Sequence, residues 1–146
     1  MVGTANGDLG VHSLRKAGHP PIAGRGVPTE VRENSRRSGR LHRWTINGKS
    51  WPDTNPLFTV ERGKRYRLVM NNNSGDTHPV HLHRHTFEVT KVGDKPTSGL
   101  MKDTLNMVRF TTADIDFVAD DPGLTLFHCH HQDHQDEGFM GLIHYA

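Results

Sequence analysis

Short segments rich in apolar residues, some with partial apolar–polar alternation, dominate the chain from about residue 41 onward. Gly, Pro, Asn and Asp separate them, and no segment shows the 3.6-residue period of an amphipathic helix of useful length. Short strands at near-regular spacing predict an all-β fold, either a β-sandwich or a barrel. The predicted strands are residues 43–46, 57–60, 66–70, 86–92, 104–110, 114–118, 124–129 and 139–145.

The first 40 residues differ from the rest of the chain. They are rich in Gly, Pro, Arg and Asn and have no sustained period of two or 3.6. We therefore predict that residues 1–40 are an irregular, poorly structured segment, a linker or the remnant of a preceding domain, and that residues 41–146 form the domain.

Charge and apolar content exclude several classes of function. Residues 1–43 hold eight Lys and Arg against three Asp and Glu, but no aromatic residues are interleaved, so we predict no nucleic-acid binding. No apolar run approaches the roughly 20 residues that span a bilayer, so no membrane contact is predicted.

The N-terminus has no apolar region of the kind found in secretory signals. Because Cys129 is the single cysteine, an intrachain disulfide is impossible.

Histidine is the most unusual feature of the composition, with 12 His against one Cys. Imidazole is the commonest metal ligand among side chains, and most of these histidines fall in two clusters, at 78–85 and 128–134. Side chains on a strand alternate between faces, so Cys129 should point one way while His128 and His130 point the other. One short segment can then serve two metal sites on opposite sides.

The remaining histidines extend this pattern. His134 follows the end of the predicted strand, and a loop can fold it back to the thiolate side, where a second His would complete a His₂Cys copper set. In the first cluster, His81 and His83 are two residues apart and share a face. His78 precedes Pro79, which favours an extended backbone, and it can serve the other site.

Two other chemistries compete with copper. Cys129 could be a nucleophile with His78 or His134 as its base, but neither a strained nucleophile turn nor a Gly-rich oxyanion loop surrounds it. A structural zinc site usually needs several Cys, whereas a catalytic zinc site made only of His remains open, since imidazole also suits zinc.

Four motifs carry a resemblance to a known family. They are His-Pro-x-His-Leu-His at 78–83, Lys-Asp-Thr at 102–104, Asp-Pro-Gly at 121–123 and Phe-His-Cys-His-x-x-x-His at 127–134. Together they resemble the last cupredoxin domain of multicopper oxidases such as laccases, and the resemblance covers about residues 41–146. It implies a Greek-key β-sandwich or barrel of the cupredoxin, plastocyanin-like type, with copper as the cofactor.

The resemblance also implies a role for each motif residue. His78, Cys129 and His134 would bind the type 1 copper, which accepts electrons from the substrate. The trinuclear cluster, which reduces dioxygen to water, would receive electrons through Cys129 and its flanking histidines, the expected catalytic residues. Its ligands here would be His81 for the type 2 copper and His83, His128 and His130 for the type 3 pair.

Two positions depart from the family pattern. Phe139 falls on the axial position of the type 1 site, where many members carry Met, so we expect a three-coordinate site of higher potential. Met140 is one residue late and should face away. Arg84 stands where Gly is usual. The segment 72–74 also matches a glycosylation sequon, which matters only in a eukaryotic secretory host.

Half of the expected cluster is missing. The family's trinuclear cluster takes half of its ligands from an N-terminal cupredoxin domain, but residues 1–40 contain no His-x-His pair. The chain is therefore expected to act as an oxidase with another domain or chain, or as a homo-oligomer in which a face-to-face dimer supplies both halves.

The alternative is a stand-alone electron carrier without oxidase activity, which would have no use for the four histidines of the far face. The expected substrates are dioxygen and a small reductant whose identity the sequence does not reveal. The resemblance implies a secreted or periplasmic location.

Overall fold

The computed structural model describes residues 20–34 and 42–146. Within these ranges the chain forms eleven strands and one short helix. The elements are β1 (Val27–Glu33), β2 (Trp44–Ile46), β3 (Phe58–Val60), β4 (Arg65–Asn73), β5 (His78–Leu82), β6 (Phe87–Val92), β7 (Lys95–Lys102), β8 (Thr104–Met107), β9 (Thr112–Val118), β10 (Thr125–Cys129), α1 (Gln132–Asp136) and β11 (Met140–Tyr145). The predicted all-β class is confirmed.

The strands form two sheets. One has six strands in the order β2-β1-β4-β9-β6-β7, and the other has five in the order β3-β11-β10-β5-β8. Neighbours that are distant in sequence show that the chain crosses repeatedly between the sheets. Apolar side chains with no more than 1% exposure fill the core, among them Trp44, Ile46, Leu68, Leu82, Phe87, Ile115, Phe117, Phe127, Phe139 and Ile143. Among the described residues no helix has the length and apolar character needed to cross a membrane.

Strand β1 lies in the segment for which we predicted no regular structure. It pairs in parallel with β4 and antiparallel with β2, and it buries Thr29 and Val31. For residues 27–33 the prediction of a poorly structured linker is therefore wrong, because this strand is part of the larger sheet. Residues 1–19 and 35–40 of the predicted linker lie outside the described residues.

The smaller sheet sets the position of the histidines. Strand β10 lies between β5 and β11, and the register places His128 opposite His81 and Cys129 opposite Val80. Residues directly opposite each other in an antiparallel pair share a face. His81 and His128 therefore lie side by side on one face of the sheet, and Cys129 lies on the other face with Val80.

Candidate metal centre

The side chains of strand β10 divide between two sites. Cys129 is completely buried on one face, and His128 lies on the other beside His81, its partner across the strand pair. The alternation that we predicted from the sequence is therefore present. It places a thiol and an imidazole from adjacent residues on opposite sides of one strand.

The first site brings together His78, Cys129 and His134. The Cys129 Sγ lies 3.4 Å from Nδ1 of His134 and 3.7 Å from Nδ1 of His78, and the two Nδ1 atoms are 3.0 Å apart. One ligand atom from each residue lies within 4.8 Å of the others. This is the predicted His₂Cys set, although its role as a copper site stays a prediction.

Local structure explains how three separate residues converge. His78 begins β5 and Cys129 ends β10, next to each other in the sheet. The short helix α1 then turns the chain back, and the Phe139 N–H donates to the His134 carbonyl at 2.9 Å. The indole of Trp44 packs against both rings, with centroid distances of 4.5 Å to His78 and 4.9 Å to His134.

Burial determines the protonation of these three side chains. It lowers the pKa of His78 to about 4, with a further contribution from His134, and it also lowers the pKa of His134. Burial raises the pKa of the Cys129 thiol to about 11. At neutral pH both imidazoles are thus neutral, with lone pairs available, whereas the thiol must lose its proton when it binds a metal.

Phe139 occupies the position predicted to be axial. It is fully buried, and its ring centroid lies 5.0 Å from that of His78. Met140 pairs with His128 across β10 and β11, so it belongs to the opposite face. A phenyl ring therefore stands beside the His₂Cys set, and the neighbouring thioether faces away from it.

The second group consists of His81, His83, His128 and His130. The Nε2 atoms of His83 and His128 are 2.9 Å apart, and the ring of His81 lies 4.7 Å from that of His83. The ring of His130 lies 5.9 Å from both His81 and His128. His130 is exposed and His81 and His83 are half-buried, so this group opens to the surface.

Hydrogen bonds orient two of these rings. The Nδ1–H of His81 donates to the Asp103 carbonyl at 2.7 Å, and that of His128 donates to the Cys129 carbonyl at 2.7 Å. Each ring then presents its Nε2 lone pair. Burial lowers the pKa of both His83 and His128, which keeps these rings neutral.

Several supporting contacts have no counterpart in the sequence analysis. The Lys-Asp-Thr motif is visible in the sequence, but its contacts are not. In the structure the Asp103 carbonyl and the Thr104 hydroxyl both contact Nδ1 of His81. His85, outside the predicted ligands, bonds the Tyr145 hydroxyl at 2.7 Å. Arg84 has a positive φ of 65°, a backbone conformation that favours glycine, and its guanidinium donates to Asp121 at 2.7 Å.

The donor atoms of the first site fit copper. One thiolate and two imidazoles form the trigonal set typical of blue-copper sites, whereas structural zinc sites usually contain more cysteines. A two-sheet β fold with this group at the end of adjacent strands defines the cupredoxin class.

Comparison with known proteins identifies the family. A sequence model described as multicopper oxidase matches residues 27–145, and the chain belongs to that family. Multicopper oxidase MmcO of Mycobacterium tuberculosis is 39% identical over 102 residues, which cover 70% of this chain and 20% of that protein. Laccase-3 of Thanatephorus cucumeris is 37% identical over 90 residues, covering 60% of this chain and 16% of that protein. The chain thus spans about a fifth of the length of these relatives.

Solved structures confirm the cupredoxin fold. McoA multicopper oxidase from Aquifex aeolicus superposes with a TM-score of 0.69 at 29% identity, covering 86% of this chain and 31% of that one. Blue copper oxidase from Nitrosomonas europaea gives a TM-score of 0.73 at 24% identity, covering 85% of this chain and 44% of that one, and shows the shared fold.

Proposed function

We propose that the chain is the type 1 copper domain of a laccase-like oxidase and contributes half of the ligands of a trinuclear copper cluster. His78, Cys129 and His134 hold the type 1 copper. His81 serves the type 2 copper, and His83, His128 and His130 serve the type 3 pair. Copper in these sites supplies one-electron transfer from a small reducing substrate to dioxygen.

The observation that carries the proposal is the arrangement around β10. Cys129 is joined by one peptide bond to each of His128 and His130, and the His128 ring also bonds the Cys129 carbonyl at 2.7 Å. These connections provide a short path between the two faces of the strand. A stand-alone electron carrier needs the buried site but has no use for four histidines on the opposite face.

The open second group supports a partner. His130 is exposed and His81 and His83 are half-buried at the edge of the domain. Another cupredoxin domain or a second copy of the chain would complete the cluster there. A secreted or periplasmic location, which the family resemblance implies, belongs to the same proposal.

Copper loading of the purified chain tests the first site. We expect about one copper per chain and a strong absorption band in the red region, from thiolate-to-copper charge transfer. Cys129→Ser should abolish this band, whereas His131→Ala, which changes an exposed neighbouring histidine, should retain it. A wild-type chain without the band, or a blue Cys129→Ser variant, would overturn the assignment.

Oxygen uptake with a phenolic substrate tests the second group. Uptake together with more than one copper per chain would mean that self-association completes the cluster. A blue chain with one copper and no uptake would mean that the cluster needs another domain. A blue chain that does not gain uptake with any cupredoxin partner domain would favour the electron carrier.

A further inference from the structure

A buried hydrogen-bond chain leads away from the first site. Nε2 of His78 lies 3.0 Å from the Ser74 hydroxyl, which in turn lies 2.7 Å from Oδ1 of Asn72. The exposed fractions of His78, Ser74 and Asn72 are 0%, 3% and 1%, so bulk water does not compete for these groups.

The contacts of Asn72 determine which group donates and which accepts in each of these hydrogen bonds. The Asn72 Nδ2 donates to the carbonyl oxygens of Asp76 at 2.8 Å and Met107 at 3.0 Å. This fixes the amide with Oδ1 towards Ser74, whose hydroxyl donates to it. The Ser74 oxygen is then left to accept, and the His78 Nε2 must carry the proton.

We propose that Asn72 and Ser74 are positioning residues that hold the proton of His78 on Nε2 and leave its Nδ1 lone pair for the metal. That lone pair faces Cys129 Sγ and His134 Nδ1. The role towards a metal rests on the proposed function, whereas the position of the proton does not. Hydrogen bonds of this kind commonly fix the tautomer of metal-binding histidines.

This role also explains the sequon at 72–74. In the folded chain the Asn72 amide is buried and donates to main-chain carbonyls, so a glycan on this nitrogen would be incompatible with the fold. The Ser and Asn of the motif are instead the second and third members of the hydrogen-bond chain that starts at His78.

Nitrogen NMR of the metal-free chain tests the position of the proton. At a pH of about 8, where ordinary imidazoles are neutral, we expect His78 in the Nε2–H form. Ser74→Ala should give a mixture of tautomers, Ser74→Thr should restore the single form, and Ser98→Ala, at an exposed site on β7, should leave it unchanged. A wild-type His78 that carries its proton on Nδ1 would overturn the proposal, even if no variant folds.

Copper binding then tests the consequence for the metal. We expect Ser74→Ala to bind copper about 10- to 100-fold more weakly, the usual cost of losing such a partner, and to have a higher reduction potential because the imidazole is less electron-rich. Unchanged affinity and potential would refute the positioning role. If the wild-type chain gives no blue band, the proposed function fails while the NMR result still decides the tautomer.

Discussion

Acid should destabilise the metal-free chain through His78. Its ring is fully buried, and burial, with a smaller contribution from His134, lowers its pKa to about 4. An unfolded chain returns this imidazole to an ordinary pKa of about 6.5. Between these two values the unfolded chain binds a proton that the folded chain does not, so stability falls as pH falls from about 6.5 to 4.

The two pKa values give the size of the effect. At pH 5 protonation of this one group stabilises the unfolded state by roughly 2 kcal/mol relative to the folded state, and at pH 7 it has almost no effect. The loss of stability between pH 7 and pH 5 is therefore about 2 kcal/mol. That is a large share of the roughly 5–15 kcal/mol typical of a domain.

Urea unfolding at the two pH values measures this loss. His78→Gln removes the titrating group, so the variant should lose about 2 kcal/mol less than the wild type between pH 7 and pH 5. Other histidines contribute to both proteins and largely cancel in the comparison. Equal losses in the two proteins would refute the reasoning and show that His78 is not held neutral by burial.

Three further changes test other parts of the structure. Phe139→Met should lower the type 1 reduction potential, and an unchanged potential would mean that Phe139 is not axial. Asp116→Asn should cost about 3 kcal/mol in urea unfolding, because the fully buried Asp116 carboxylate pairs with Arg65 and Arg67; a loss below about 1 kcal/mol would contradict this. Copper loading at neutral pH should release about one proton per ion from Cys129, whose pKa is raised to about 11, and pH-stat titration of Cys129→Ser should show no such release.

Local patterns predict eight of the eleven described strands and miss β1, β5 and β7. These patterns do not predict strand β1, because its segment contains a proline and three charged residues. Only its pairing with β2 and β4 shows that it belongs to the sheet. The local patterns do not predict strand β7, because it is largely exposed and lies at an edge of the sheet. The place of β1 in the sheet depends on contacts between distant parts of the chain, which periodicity does not record, whereas β7 forms a hairpin with the preceding strand β6.

The part of the site on β10 and just after it is more predictable because its geometry is local. Alternation along β10 is enough to place Cys129 and His128 on opposite faces. His134 is only five residues beyond Cys129, so a single turn of the chain can bring it back to the thiol. The supporting contacts are not predictable in this way. Asp103, just before β8, reaches His81 only through the tertiary fold, and a main-chain carbonyl has no signature in the sequence. Ser74 lies only four residues before His78, but its contact with the ring depends on the turn between β4 and β5.

The histidines on the two faces of β10 offer different ring nitrogen atoms to a metal. His78 directs Nδ1 towards Cys129, whereas His81 and His128 donate through Nδ1 and present Nε2. Nδ1 lies close to the main chain, so a metal bound through it is enclosed by its own domain. Nε2 lies at the far end of the ring, so a metal bound through it sits further out, where ligands from a second domain can reach it. The hydrogen bonds therefore fit the proposed closed site on one face and the proposed shared site on the other.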